Sequence, residues 1–243
     1  MELPKAPMAS LRRPLSSERN SRPPRVERGS RSDGTTTRIH ILETAGELFA
    51  DGGYSRTTVK EICVRANTNA AAVNYHFGGR DGLYEAVLIE AHSRMVSLEE
   101  LHSILGDGTP PDAQFERLLR TLLGPYPESR KGWAMRVLIK EVMAPTEHIP
   151  VLLREAILPK MQILFSIVAR VLGLPVNHPG VQRGVLFAVV PCMVLIVSPP
   201  PIRDIVFPDI NADLTGTINE LTSYALAGLK ALRLLHSPES ISL

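Results

Sequence analysis

The chain has 243 residues, of which 44% are hydrophobic and 5% aromatic, so it can bury a full core of helices packed on helices. Residues 1–36 carry eight basic and four acidic side chains, which divides the net charge of +2 into +4 for this tail and −2 for the rest. This balance excludes a body that binds nucleic acid through bulk positive charge.

The two cysteines, Cys63 and Cys192, lie within apolar helix patterns, whereas a disulfide framework requires more cysteines in a smaller chain. We therefore expect a reducing, cytoplasmic environment. The amino terminus lacks the apolar segment of a secretory signal, and Glu2, Glu18 and Glu27 argue against a transit peptide.

Residues 1–34 hold five prolines and six serines with almost no clustered apolar side chains. Such a segment cannot offset the entropy lost on folding, so we predict a disordered basic leader. Two interpretations of it stay open: a solvated segment without a role, or a basic arm that adds non-specific attraction to phosphates.

The first predicted helix runs from Thr37 to Ala50 and ends at Gly52 and Gly53. Its apolar residues repeat with helical spacing and predict one buried stripe: Ile39, Leu42, Ala45, Leu48 and Phe49. Tyr54 is expected to pack beneath this helix.

Two short helix patterns follow, separated by a tight polar turn. Thr58 and Glu61 have the spacing of a capping box, which predicts that a helix begins there. Its predicted buried stripe is Val59, Ile62, Cys63 and Ala66. Asn67 can adopt the left-handed conformation that ends a helix, and Asn69 can cap the next one.

The second helix pattern, Ala70–Phe77, carries no charge apart from any on His76 and stops at Gly78 and Gly79. We predict that Ala70, Val73 and Phe77 point inward. The predicted outward side chains are Ala71, Ala72, Tyr75 and His76. A helix, a sharp turn and a second helix with small outward residues is a geometry that enters the DNA major groove, the alternative being a helical hairpin inside a bundle core.

The letters ILETAGELFADGGYSRTTVKEICVRAN and NYHFGGRDGLY carry a more specific signal. This region of about 55 residues resembles the DNA-binding domain of the TetR/AcrR family. The resemblance implies an all-α protein in which a three-helix helix-turn-helix head is joined to a C-terminal helical bundle. It also implies double-stranded DNA as a partner.

The predicted DNA contacts are Thr58, Asn69, Ala70, Ala71, Ala72, Asn74, Tyr75, His76 and Arg80. Asn69 caps a helix N-terminus, which attracts phosphate, the alanines permit close approach to base edges, and Asn74 can pair with adenine. The resemblance implies that Thr58, Tyr75, His76 and Arg80 hold the phosphate backbone. For each residue the alternative is an outward side chain that contacts only water.

Three positions depart from the family pattern: Asn67 stands where glycine is usual, Thr68 where a buried valine is usual, and Asn74 where an aromatic residue is usual. The stretch Asn69–Phe77 also lacks lysine and arginine. We therefore expect few strong guanine contacts and a DNA preference that depends on asparagine, alanine and DNA shape.

The rest of the chain reads as helices separated by proline- and glycine-bearing breaks. The predicted helices are Arg80–Leu105, Asp112–Leu123, Lys131–Met143, Ile149–Leu172 with a bend at Pro159, Pro179–Val197 and Asn211–Leu235. The uncharged run 184–202 contains internal and terminal prolines, so we predict no membrane span. Instead, Val185–Val197 fits a helix buried on most sides, as at a homodimer interface.

The segment Glu141–Pro159 resembles the C-terminal domain of the CecR-like subgroup. The resemblance implies that residues 91–238 form an effector-binding and dimerisation domain, after the leader 1–34 and the DNA-binding domain 35–90. The candidate ligand-lining residues are Trp133, Met135, Met143, Met161 and Phe165, with adaptable core filling as the alternative.

Enzyme and cofactor motifs are absent from the sequence, so we expect neither catalytic residues nor a cofactor. The histidines are isolated, and His148, beside Glu147, is more readily a surface or pocket-lining residue than a metal ligand. We interpret the chain as a homodimeric, ligand-responsive DNA-binding regulator, a repressor released by a small molecule. The alternatives are a helical small-molecule carrier or enzyme that no longer binds DNA, and an interaction scaffold.

Overall fold

The computed structural model describes residues 29–106, 108–124, 132–197 and 204–236, and within these ranges the regular structure is entirely helical. The helices are α1 Gly29–Gly52, α2 Val59–Arg65, α3 Ala70–Phe77, α4 Arg80–Ser93, α5 Leu98–Leu105, α6 Pro111–Leu123, α7 Trp133–Met143, α8 Ile149–Leu152, α9 Leu158–Leu172, α10 Pro179–Val197, α11 Pro208–Ala212 and α12 Leu214–Leu235. A short π-helical turn, Leu153–Ile157, joins α8 to α9. The predicted all-α class is confirmed.

Helix α1 begins eight residues before the predicted start at Thr37, within the segment expected to be a disordered leader. Residues 1–28 of that leader lie outside the described part of the chain. The predicted burial of Ile39 was wrong, because this side chain is 52% exposed. The buried stripe starts instead at Ile41, from which Ala45 and Leu48 follow at helical spacing.

The predicted single helix from Arg80 to Leu105 was also wrong, because it is divided between α4 and α5. Ser97 forms a complete capping box with Glu100: its hydroxyl accepts from the Glu100 N–H at 3.1 Å, and its own N–H donates to the Glu100 carboxylate at 2.8 Å. These bonds satisfy the free donors of a new helix start, so the chain turns at 94–97 rather than continuing.

The predicted bend at Pro159 is present as the π-helical turn just before it. A proline lacks the N–H that would bond the carbonyl four residues earlier, and a wider turn accommodates that missing bond. Helix α12 begins at Leu214, three residues later than predicted, because Asp213 accepts from the Gly216 N–H at 2.8 Å and caps it.

Two hydrophobic cores organise the described residues. The first, which we call the head core, joins α1–α4 to α7, which contributes Trp133, Ala134, Val137 and Leu138. The second is built from α5, α6, α9, α10 and α12. Helix α7 therefore packs with the head, across the boundary predicted at residue 90. Among the described helices, none has the length and apolar character that crossing a bilayer requires.

Candidate nucleic-acid interface

Helices α2 and α3 are each started by a side-chain cap that the sequence predicted. The Thr58 hydroxyl accepts from the Glu61 N–H at 3.2 Å, and the Asn69 side-chain oxygen accepts from the Ala72 N–H at 3.0 Å. Between the helices, Asn67 is the one described non-glycine residue with positive φ, at 46°. Both predicted N-caps and the predicted left-handed turn are therefore in place, with Thr58 making its half of the predicted capping box.

Helix α3 buries one side and exposes a small, uncharged surface. Val73 is fully buried, whereas Asn74 is exposed and Tyr75 is 84% exposed. The predicted inward position of Ala70 was wrong: Ala70 is exposed with Ala71, and Ala72 is the alanine that packs against the head core. The outward surface is thus Ala70, Ala71, Asn74 and Tyr75, a set that can approach base edges closely.

The C-terminal end of α3 holds its aromatic residues in contact with one another. The ring of Tyr75 lies edge-on to His76, with 4.9 Å between centroids, and His76 is only partly exposed. Gly78 and Gly79 follow with φ of 75° and 123°, backbone conformations that are strained for residues with a side chain. This double turn fixes where α4 leaves the recognition helix.

Arg80 does not extend freely toward a phosphate. Its guanidinium lies over the Tyr54 ring at 4.1 Å and donates to the Tyr54 carbonyl, while its Nε is buried without a partner among the described residues. The Tyr54 hydroxyl in turn donates to Asp81 at 2.6 Å, and this bond raises the pKa of Tyr54 to about 12. This geometry favours Arg80 as a brace for the start of α4.

Two cations that the sequence reasoning missed lie beside α3. Arg38 of α1 holds its guanidinium 5.0 Å from the centre of the Phe77 ring, at the end of α3. The exposed Lys60 of α2 lines a 490 Å³ groove together with Asn67 and Ala70, at the start of α3. The sequence could have pointed to both cations, because each lies about one helical turn from a predicted core residue. Their side chains lie at opposite ends of the uncharged helix α3.

The five candidate ligand-lining residues are not brought together. Met161 and Phe165 line a 390 Å³ cavity in the C-terminal half. Trp133 is instead buried in the head core, where its Nε1–H donates to Glu43 at 2.8 Å. Met143 is 79% exposed, and Met135 packs on the second core. Helical spacing alone could not separate these surroundings.

His148 is neither on the surface nor in that cavity. It is 4% exposed at the junction between α4 and the turn after α7, with its Nδ1 3.1 Å from the Glu85 carboxylate. Its ring packs edge-on against Tyr54 and Tyr84, at centroid distances of 4.7 and 5.5 Å. The described residues contain no cluster of three potential metal ligands around it.

Two models of known protein families match the sequence. The model for bacterial regulatory proteins of the tetR family matches residues 41–87, and the model for the C-terminal domain of the HTH-type transcriptional dual regulator CecR matches residues 111–227. The two matches correspond to the head and to the second half of the chain.

Individual relatives agree with these matches. The HTH-type transcriptional regulator AcrR of Shigella flexneri is 27% identical over 113 residues, which cover 46% of this chain and 53% of AcrR. The HTH-type transcriptional repressor Rv1474c of Mycobacterium tuberculosis is 29% identical over 107 residues, 41% of this chain and 57% of the relative. The chain thus spans about half the length of these curated relatives.

The fold comparison covers more of the molecule. A crystal structure of an AcrR-family transcriptional regulator from Aquifex aeolicus superposes with a TM-score of 0.50 over 81% of this chain and 99% of that chain, at 17% identity. The family models, the relatives and this fold lead to one conclusion. The chain belongs to the TetR/AcrR family of bacterial regulatory proteins, with a CecR-type C-terminal domain.

Proposed function

We propose that this chain is a dimeric DNA-binding regulator that represses transcription until a small molecule binds its C-terminal half. The observation that carries the proposal is the outward surface of α3, where exposed Ala70, Ala71 and Asn74 lie next to two capped helix N-termini. Small side chains let a helix approach base edges, and N-termini attract phosphate.

In this proposal each residue has a separate task. Asn74 reads an adenine, Ala70 and Ala71 lie against the base edges, and Thr58 and Asn69 direct backbone N–H groups at phosphates. Tyr75 and His76 contact the backbone from the other end of α3. Arg38 and Lys60 supply the positive charge that α3 lacks, while Arg80 holds the turn in place.

The dimer forms through α10 and α12. Leu186 and Phe187 of α10 are 54% and 55% exposed, and Tyr224 of α12 is 72% exposed, which is unusual for large side chains on adjacent helices. A two-fold dimer presents two α3 helices to half-sites about one helical turn apart. We infer repression because the mycobacterial relative is named a transcriptional repressor. The cytoplasmic location stays a prediction.

The proposal is tested by selecting binding sites from random duplex DNA with the full chain. We expect a palindrome whose half-sites lie roughly 10 base pairs apart. Failure to recover a palindrome, together with no gel shift at low salt, would contradict DNA recognition and support the carrier alternative.

A matched pair of variants separates DNA contact from folding. Ala71→Glu places a carboxylate on the outward surface in the first turn of α3, where it suits the helix dipole but repels phosphate. Ala113→Glu makes the same change at an exposed position in the first turn of α6. We expect the first variant to lose binding and the second to retain it, with both equally folded by circular dichroism.

A further inference from the structure

An apolar cavity of 390 Å³ lies where the C-terminal end of α4 meets α9 and α10. Its apolar lining includes Met95, Val96, Met161, Leu164, Phe165 and Val189. Three polar side chains interrupt this lining: Lys160, His92 and Gln182. A cavity of this size with few polar groups is typical of a site for a small molecule.

Lys160 is a cation in surroundings where a cation is costly. It is 6% exposed, and its ammonium donates to the His92 carbonyl at 2.9 Å and to the His92 ring at 3.0 Å. Across the described ranges, no carboxylate lies within the 4.0 Å of an ion pair with it. An ammonium has three donors, so one donor is available to a further acceptor.

The nearby groups keep Lys160 charged and His92 neutral. Burial lowers the pKa of Lys160 to about 8, against the charges of Glu99 and Glu100, which raise it. Burial and the Lys160 charge lower the pKa of His92 to about 4. At pH 7 the cavity therefore presents a protonated lysine whose contacting partner, His92, is neutral, and Glu99 and Glu100 act on its charge only from beyond ion-pair distance.

We infer that this cavity binds an apolar molecule with one anionic head group, such as a carboxylate, and that Lys160 binds that head group. The inference rests on the proposed function, since it specifies the chemical class of the effector. An anion in the cavity supplies a counter-charge in direct contact with Lys160 and the third hydrogen-bond acceptor, while the apolar body contacts the methionines and Phe165.

The same lysine connects the ligand to the DNA-binding head. His92 belongs to α4, which begins at Arg80 directly after the turn that ends α3. An anion that draws the ammonium toward the cavity weakens its hold on the His92 carbonyl at the C-terminal end of α4. Such a ligand therefore favours a different position of α4 and lowers the affinity for DNA.

The test compares decanoate with decan-1-ol, which share an apolar body, by isothermal titration calorimetry on the full chain without DNA. We expect decanoate to bind about ten- to a hundredfold more tightly, the range for hydrogen bonds to a charged group. Lys160→Met, which keeps an unbranched side chain, should remove this preference and retain decan-1-ol binding. Gln182→Met, in the same lining, should leave the preference unchanged.

Equal binding of the two probes, no binding of decanoate, or a preference that survives in Lys160→Met would overturn the inference. A gel shift with the selected operator keeps this outcome distinct from the proposed function. A chain that binds DNA but shows no carboxylate preference retains the proposed function and loses this inference. A chain that prefers decanoate through Lys160 but binds no DNA retains this inference and loses the proposed function.

Discussion

Asn67 sets the turn between α2 and α3. Its N–H donates to the Val64 carbonyl at 3.3 Å and that of Thr68 donates to the Cys63 carbonyl at 2.9 Å, the bond pattern of a Schellman motif. This motif requires a positive φ at Asn67. That angle is unfavourable for most residues with a Cβ, but asparagine tolerates it.

We expect Asn67→Ala to lower the free energy of unfolding by about 1 kcal/mol, because alanine lacks the amide that compensates for the left-handed conformation. Asn67→Gly, the residue usual in the family, should stay within about 0.5 kcal/mol of the natural chain. Urea denaturation measures both. Equal losses in the two variants would show that the amide, and not the backbone angle, holds the turn.

His92 makes stability depend on pH. Its pKa is lowered from 6.5 to about 4 by burial and by the Lys160 charge. As the pH falls from 6.5 toward 4, the unfolded chain takes up a proton that the folded chain does not, so stability is lost in that window.

We expect the natural chain to lose roughly 2 kcal/mol more than His92→Gln between pH 7 and pH 4.5, since glutamine does not titrate. Urea denaturation of both proteins at the two pH values gives this difference. Parallel losses in both would assign the acid sensitivity to carboxylates elsewhere.

At the scale of elements, α1, α4 and α7 meet at Trp133. The indole donates to Glu43, and the Arg94 guanidinium lies 4.7 Å from the ring centre and forms an ion pair with the same carboxylate. Partial burial raises the pKa of Glu43, but these partners hold it below its usual value. The indole also covers Gly46, where a Cβ would come within 2.3 Å of the ring.

We expect Gly46→Ala to destabilise the protein by on the order of 2 kcal/mol, because the methyl group displaces the indole. Gly34→Ala is the matched control: it lies in the same helix, but a Cβ there meets nothing within 4 Å, so better helix propensity should raise stability slightly. Differential scanning calorimetry compares the two. If Gly46→Ala were stabilised as well as the control, α7 would be able to shift away from the added methyl group without a loss of stability.

The elements differ in how far the sequence could predict them. Helices α2, α3 and α10 depend on local signals such as Asn69 and the glycine pair, and their predicted bounds hold within a residue. The break before α5 also had a local signal, Ser97 followed by Glu100, which the long apolar pattern masked. The docking of α7 depends on Trp133 meeting Gly46, two residues far apart in the chain, and no periodicity contains that information.

The candidate site shows the same division. Caps and exposed helix faces follow from spacing, so the small outward surface of α3 could be predicted, apart from the exchange of Ala70 for Ala72. Arg80 folds onto Tyr54 because a ring and a carbonyl lie within its reach, which is a tertiary fact. The cavity around Lys160 is likewise formed by separate helices, and its cation was not among the predicted lining residues.

At the scale of the whole molecule, α7, which follows the boundary predicted at residue 90, is joined to α4 of the head through a buried polar junction. The Tyr84 hydroxyl donates to Glu141 at 2.8 Å, and the Thr146 hydroxyl donates to the same carboxylate at 2.9 Å. Such satisfied buried bonds resist separation, so α4 and α7 move together more readily than apart. In the proposed regulation, a change at the cavity end of α4 is carried along this helix to the turn that positions α3.

The proposed dimer gives the last prediction. A groove of 280 Å³ between α10 and α12 is lined by Phe187, Tyr224 and Gly228, and a side chain added at Gly228 would extend into open space. Gly228→Trp therefore fits the single chain but fills the surface that a second copy would cover. A two-fold interface places this change on both partners, so its effect is doubled.

We expect Gly228→Trp to weaken dimerisation by at least about tenfold, roughly 1.4 kcal/mol, and to reduce operator binding with it, as measured by sedimentation equilibrium and gel shift. Ser223→Trp adds the same bulk on the opposite exposed flank of α12 and should leave both unchanged. If Ser223→Trp dissociates the dimer and Gly228→Trp does not, the interface lies on that other flank. If neither variant changes the mass, the two copies meet through a surface that excludes α12.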